Sequence, residues 1–75
     1  MSSQGLWTER VAYDALDRIE YVGKARGGTA EGSSGWAICL LSYDGTTAKI
    51  VSKQWAGGDT SLKWRWDLRA SYTYS

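Results

Sequence analysis

The chain has no histidine and a single cysteine among its 75 residues, and these two shortages exclude several kinds of chemistry. Without histidine, Ser-His-Asp and Cys-His catalytic sites and histidine-containing zinc sites cannot form. One cysteine can build neither a metal-binding cysteine cluster nor a disulfide within the chain, which favours a cytosolic origin. Because Cys39 lies between Ile38 and Leu40, we expect a buried structural thiol. We therefore expect no enzyme activity, no metal and no cofactor.

The chain also lacks a strong charge bias and a long apolar run. Nine Lys and Arg residues against eight Asp and Glu residues give a net charge of +1, so composition does not indicate a nucleic-acid-binding protein. The longest strictly apolar run is Trp36 to Leu41, which is too short to cross a bilayer. The first residues do not combine a charged region with an apolar core, so we expect no signal peptide and no membrane partner.

The carboxylates leave an acid–base pair as the remaining route to catalysis. Four aspartates lie in predicted turns and one lies between two arginines: Asp14, Asp17, Asp44, Asp59 and Asp67. These positions indicate turn chemistry or surface charge rather than catalysis. Residues 25–35 form a glycine-rich stretch, but glycine, lysine and threonine do not follow the order of a phosphate-binding loop there. We predict a surface loop.

The strongest positive signal is an alternation near the C-terminus. From Leu62 to Tyr74 every second residue is Leu, Trp, Trp, Leu, Ala, Tyr and Tyr, and the residues between them are charged or carry hydroxyls. A period of two is typical of a β-strand, because successive side chains point to opposite faces. We predict one long C-terminal strand with an aromatic face and a polar face.

Four other strands are predicted upstream, at about Leu6 to Tyr13, Arg18 to Lys24, Trp36 to Tyr43 and Thr47 to Trp55. Val22 is an apolar exception on the polar side of the second strand. The fold class is therefore all-β: a small single domain spanning residues 1–75, built as an antiparallel meander, barrel or sandwich of about five strands. Residues 1–5 are predicted to be a flexible N-terminal arm.

Two groups of residues are assigned from these patterns. The third strand is apolar on both faces apart from Ser42, which indicates a central strand. The predicted core is Tyr21, Trp36, Ile38, Leu40 and Trp55. The predicted partner interface is Trp64, Arg65, Trp66, Arg69, Tyr72 and Tyr74. A free terminal strand with two tyrosines would expose aromatic surface; the alternative is that Tyr72 and Tyr74 close the domain's own core.

Aromatic and basic residues that interleave also occur in small β-barrels that bind single-stranded nucleic acid. A binding platform needs both kinds of side chain on one face of the sheet. In a strand, the alternation would place Trp64 and Trp66 on the face opposite Lys63, Arg65 and Arg69. Nucleic acid is therefore the second hypothesis rather than the first.

The chain resembles a group of small virion-associated structural proteins of tailed bacteriophages over residues 13–75. The matching elements are Tyr21-Val22-Gly23-Lys24-Ala25, Trp36-Ala37-Ile38, Tyr43-Asp44-Gly45, Trp55-Ala56-Gly57-Gly58-Asp59 and the ending Trp66-Asp67-Leu68-Arg69-Ala70-Ser71-Tyr72-Thr73-Tyr74-Ser75. The resemblance implies a capsid decoration or cement protein, or a head–tail or tail accessory protein. Its expected partners are other virion proteins and its own copies, and its expected location is the virion, after synthesis in the bacterial host cytoplasm.

Overall fold

Antiparallel β-strands make up most of the computed structural model, which describes residues 7–75. In chain order the elements are β1 (Trp7–Tyr13), β2 (Ile19–Arg26), β3 (Ser34–Tyr43), β4 (Ile50–Trp55), β5 (Trp64–Arg65) and a 3₁₀ helix at Trp66–Ser71. The prediction of an all-β fold with about five antiparallel strands is confirmed. The predicted arm, residues 1–5, lies outside the described residues.

The first four strands form a meander in which each strand pairs with the next. The short strand β5 pairs with the start of β3, where Trp64 is opposite Trp36. Since Trp36 is also opposite Ala25 of β2, β5 lies along the same edge of β3 that β4 occupies further on. β1 and β4 stand at the two ends of the strand order, so the described strands form an open sheet and not a closed barrel.

Aspartates shape two of the three connections between the meander strands, as their positions in the sequence predict. In the first turn, the Asp14 carboxylate accepts hydrogen bonds from the backbone N–H groups of Leu16 (2.8 Å) and Arg18 (3.0 Å). In the second turn, the Asp44 carboxylate accepts from the backbone N–H groups of Thr46 (2.7 Å) and Thr47 (2.8 Å). These bonds satisfy turn backbone groups that the strand ladders cannot reach.

One face of the sheet carries the hydrophobic core, and we call it the covered face. Its buried residues are Ala25, Trp36, Ile38, Ala56 and Trp66. Trp66 belongs to the C-terminal segment, residues 64–75, and other aromatic side chains of this segment pack against the same cluster. The C-terminal segment is therefore the second layer that a half-apolar sheet needs.

The five residues predicted for the core have different surroundings. Trp36 and Ile38 are fully buried, and Tyr21 is partly buried where it packs against their cluster. Leu40 is only partly buried, because the C-terminal segment covers β3 further toward its start. Trp55 is also only partly buried, and it lies on the other face of the sheet, opposite Cys39 in the ladder. Both assignments to the main core are therefore corrected.

The prediction of one strand from Leu62 to Tyr74 is wrong. The extended stretch that pairs with β3 covers only Trp64 and Arg65, and a 3₁₀ helix begins at Trp66. Arg65 is opposite Ser34, the first residue of β3, so a longer strand would have no ladder to join. Instead the chain turns back, and Tyr74 bridges to Ala56 at the end of β4.

Candidate functional site

The six residues predicted for a partner interface are brought together by the fold, but around the molecule's own core. The Trp66 ring lies 5.8 Å from the Trp36 ring. The Trp64 and Tyr72 rings are 4.8 Å apart, and Tyr74 packs on Tyr21, which lies in β2. The aromatic side chains of the C-terminal segment thus close the covered face, and a contact with a partner stays a prediction.

Arg69 lies among the aromatic side chains and not opposite to them. Its guanidinium carbon is 4.6 Å from the centre of the Trp66 ring and 5.9 Å from that of Tyr21. Its Nη1 also donates a hydrogen bond to the Trp66 carbonyl at 3.2 Å. The expected separation of cations from aromatics onto two faces therefore fails at Arg69, because this part of the chain is helical.

Arg65 is held by contacts within the C-terminal segment. Its guanidinium forms an ion pair with Asp67 at 2.9 Å, and this pair raises the pKa of the arginine. Its backbone N–H donates to the Tyr72 hydroxyl at 2.9 Å. The neighbouring Trp64 has a buried Nε1 with no hydrogen-bond partner among the described residues. The ion pair and the hydrogen bond therefore fix the orientation of Arg65 within the domain itself.

The two tyrosines at the centre of the covered face are held in their neutral forms. Burial raises the pKa of Tyr74 well above its usual range, and the neighbouring Tyr21 adds to the effect. The Tyr74 hydroxyl donates to the carbonyl of Arg69 at 2.7 Å. Burial also raises the pKa of Tyr21, with a contribution from Glu20. Neutral phenols are suited to packing and hydrogen bonding here, not to proton transfer near neutral pH.

A groove of about 440 Å³ lies beside the 3₁₀ helix, where β1 and β2 approach it. Arg69 and Asp67 line one side, and Ala12 and Tyr21 line the other. Two of its charged side chains already have partners, because Asp67 is paired with Arg65 and Arg69 rests on aromatic rings. Glu20 also lines the groove and takes part in none of the ion pairs between described residues. The groove therefore presents one carboxylate, that of Glu20, beside side chains that already have partners.

The second face of the sheet, which we call the open face, has no layer over it among the described residues. Strand alternation and the cross-strand register place these side chains on it: Trp7, Glu9, Val11, Val22, Lys24, Arg26, Ala37, Cys39, Leu41, Lys53 and Trp55. Trp7 is 53% exposed and Val11 is 42% exposed. The open face therefore presents apolar side chains to solvent beside charged ones.

A depression of about 190 Å³ lies at the centre of the open face. Small side chains of β3, Ala37 and Cys39, lie below it, and Val22 and Trp55 form its walls. Burial raises the pKa of the Cys39 thiol, and the nearby Lys53 ammonium only partly offsets this. Cys39 is 5% exposed, so it behaves as an apolar floor residue and not as an activated nucleophile.

The open face carries more positive than negative charge. Its cations are Lys24, Arg26 and Lys53, and its carboxylate is Glu9. None of the ion pairs formed between described residues includes any of these four side chains. Arg26 instead lies over the Trp7 ring, 5.9 Å from its centre. Glu9 is opposite Lys24 in the ladder, so the Lys24 ammonium has a carboxylate as neighbour, whereas Lys53 is opposite Leu41.

The carboxylates examined for acid–base chemistry are engaged in turns. Backbone N–H groups lower the pKa of Asp14, where Arg18 contributes most, and of Asp44, where Thr47 contributes most. The pKa of Asp59 is lowered by the backbone N–H of Ser61. Carboxylates that are stabilised as anions in this way are poor general acids near neutral pH.

Within residues 7–75, no group of three or more His, Cys, Asp or Glu side chains is arranged to hold a metal ion. No helix in that range is long and apolar enough to cross a membrane.

Comparisons with known proteins return no match: no family model, no curated protein and no solved structure matches the chain.

Sequence reasoning missed the open face as a candidate site. It assigned Trp55 to the core and left Trp7 without a role, although the two lie on the same face. One signal was present: Val22 is apolar on the otherwise polar side of β2. The register sets Val22 between Val11 and Cys39, so this exception marks a row of apolar side chains that crosses the sheet.

Proposed function

We propose that this chain is a non-enzymatic structural component of a tailed-bacteriophage particle that acts by packing on other virion proteins. The observation that carries the proposal is the open face. Trp7 and Val11 stay exposed on it, while the covered face has its own second layer. Apolar surface of this kind is typical of protein interaction sites. The resemblance to small virion proteins supplies the kind of assembly, as capsid decoration or as a head–tail or tail accessory protein.

Quantitative mass spectrometry of purified particles tests this proposal. The phage that encodes the chain is banded on a density gradient, and the copy number of the chain is measured relative to the major capsid protein. We expect a fixed ratio across gradient fractions that contain intact particles. Host proteins in the same fractions define the level of contamination. A copy number at that level, or one that varies between fractions, contradicts a structural role.

A second candidate function is binding of single-stranded nucleic acid. It is favoured by one observation: Trp7 and Trp55 lie on the same face as Lys24, Arg26 and Lys53. Aromatic rings beside cations are the elements of a stacking platform. Fluorescence titration with oligothymidine tests it, since tryptophan quenching that weakens steeply with added salt is expected of such binding.

A further inference from the structure

The depression on the open face has an apolar centre, with Lys24 and Glu9 on one side of it and Lys53 on the other. Lys24 is opposite Ala37 of β3 and opposite Glu9 of β1. Lys53 is opposite Leu41. The two lysines are separated by two strand spacings and by four residues along β3. Their Cα atoms are therefore on the order of 16 Å apart. The apolar floor lies between them.

The size of the depression fits a single side chain. Its volume of about 190 Å³ is about six times the roughly 30 Å³ share of one water molecule in the liquid. Glu9, Lys24 and Lys53 also line the depression. The other lining side chains, which form its floor and walls, offer few polar partners to water: Ala37, Cys39, Val22 and Trp55. A leucine or aromatic side chain would displace poorly bound water there, which favours binding.

We infer that the depression is a docking site for an acidic, apolar segment of a partner protein. The segment is extended and has the pattern acidic–any–bulky apolar–any–acidic. Residues two apart in an extended chain point the same way, so the apolar side chain enters the depression while the carboxylates reach Lys24 and Lys53. The Cα atoms of the two acidic residues are about 13 Å apart, because they are separated by four residues of extended chain. The flexible side chains of the two lysines can span the difference between this distance and their own Cα separation. This inference rests on the proposed function, since it names the surface by which the chain joins an assembly.

Charge distinguishes this occupant from the alternatives. A second copy that docked through its own open face would bring Lys24, Arg26 and Lys53 against the same three cations, with Glu9 as the carboxylate available to offset them. Like charges brought together in this way disfavour association. Nucleic acid would satisfy the cations, but the depression is walled by Val22 as well as Trp55 and is shaped for a side chain rather than for successive stacked bases.

Nuclear magnetic resonance titration of the full-length, ¹⁵N-labelled chain tests the inference. The probe is a glycine-flanked peptide with the sequence Glu-Ser-Phe-Ser-Glu. One control peptide carries Lys in place of both Glu residues, another carries Ala in place of Phe, and oligothymidine is a third ligand. We expect the acidic peptide to shift the backbone amide signals of Val22, Ala37 and Cys39. Both control peptides should bind about tenfold more weakly or not at all.

Variants of the protein separate charge from shape. The double variant Lys24→Glu with Lys53→Glu should weaken binding of the acidic peptide by about tenfold or more. Its matched control, Lys49→Glu with Lys63→Glu, changes two exposed lysines away from the open face and should bind normally. Ala37→Leu fills the depression while keeping both cations, and it should also abolish the shifts. A thermal melt of each variant shows that it is folded.

Three results would overturn the inference. These are binding of the acidic peptide no tighter than that of the lysine peptide, shifts that map outside the open face, and unchanged binding in Ala37→Leu. Shifts on the open face with oligothymidine alone would assign that face to nucleic acid instead. Measuring incorporation into phage particles distinguishes failure of this inference from failure of the proposed function. If the wild-type chain and its Lys24→Glu, Lys53→Glu variant are both incorporated into particles equally well, the docking site alone is refuted. If the wild-type chain is absent from particles, the structural role is refuted.

Discussion

The indole of Trp66 rests on the backbone of Gly23, so closely that a Cβ atom at Gly23 would stand 2.5 Å from ring atom Cε3 and 2.7 Å from Cζ3. Gly23 lies in the middle of β2, opposite Ile38. Trp66 opens the 3₁₀ helix of the C-terminal segment. Because Gly23 has no side chain, the C-terminal segment can approach the sheet closely at this point of β2. Gly23 therefore determines where Trp66 packs on the sheet.

Gly23→Ala should destabilise the fold because the added methyl group occupies the space of the Trp66 ring. Overpacking of this kind costs about 1–3 kcal/mol, which lowers the melting temperature of a domain this small by at least about 4 °C. Urea unfolding followed by tryptophan fluorescence measures the change. Gly45→Ala is the matched control, since nothing lies within 4 Å of a Cβ placed there. Equal stability of the two variants would show that Trp66 can move away without cost.

Trp36→Ala should abolish cooperative folding. The Trp36 side chain is fully buried between β2 and β5, and truncating a buried tryptophan costs about 3–5 kcal/mol. Trp7→Ala removes the same side chain where it is 53% exposed and should leave a cooperative melt close to that of the parent. A Trp36→Ala variant that melts cooperatively near the parent temperature would place the core elsewhere.

The hairpins were predictable from local chemistry, and their details were not. Asp14 and Asp44 mark both turns because their short side chains bond the backbone just ahead of them. An Asp-Gly pair such as Asp44-Gly45 is typical of a two-residue hairpin turn with a positive φ at the glycine, yet in this turn the positive φ, 59°, belongs to Ala48. The turn is longer than the dipeptide pattern requires, so β4 begins at Ile50 and not near Thr47. The turn propensity of Asp44 and Gly45 therefore predicts where the turn lies, whereas the register between β3 and β4 determines how long it is.

The C-terminal alternation shows where a periodic pattern misleads. Trp64 and Trp66 both face the core, as a strand predicts. In the helix that follows, Leu68 and Ala70 are exposed, and Tyr72 and Tyr74 reach the core from the chain that returns after the helix. What decides the outcome is the length of β3, because a strand needs a partner as well as a pattern. The length of β3 depends on the pairing of segments that are distant in the sequence, so the alternation alone cannot predict it. The open face could not be predicted for the same reason, since its composition depends on which strands are neighbours.

Raising the pH above 10 should destabilise the protein, and Tyr74→Phe should weaken this effect. The folded pKa of Tyr74 lies above its ordinary value of 10.0 because of burial, so the stability due to the neutral phenol is complete below that pH. It is lost as the pH rises through the unfolded value and toward the folded one. Tyr74→Phe also removes the hydrogen bond to the Arg69 carbonyl, which costs about 1 kcal/mol near neutral pH. Urea unfolding at a series of pH values measures both effects, and an unchanged alkaline slope in the variant would contradict the assignment to Tyr74.

Removing residues 72–75 should destabilise the isolated protein. The backbone of Ser75 exchanges hydrogen bonds with Trp55, at 3.0 and 3.2 Å, and the carbonyl of Thr73 accepts one from Gly57. The truncation also strips Tyr72 from Trp64 and Tyr74 from Tyr21. Together these losses should cost about 2–4 kcal/mol, seen as a lower melting temperature.

Because the truncation disturbs the fold, a milder variant is needed to test whether the same segment contacts a partner. Thr73→Glu changes an exposed side chain and leaves the backbone bonds of the segment in place, so its melting temperature should stay near that of the parent. If the C-terminal segment serves only the fold, this variant joins particles at the parent copy number. Normal melting combined with loss from particles would instead establish the segment as an interface. The Lys24→Glu, Lys53→Glu variant, measured beside it, shows which of the two surfaces the assembly uses.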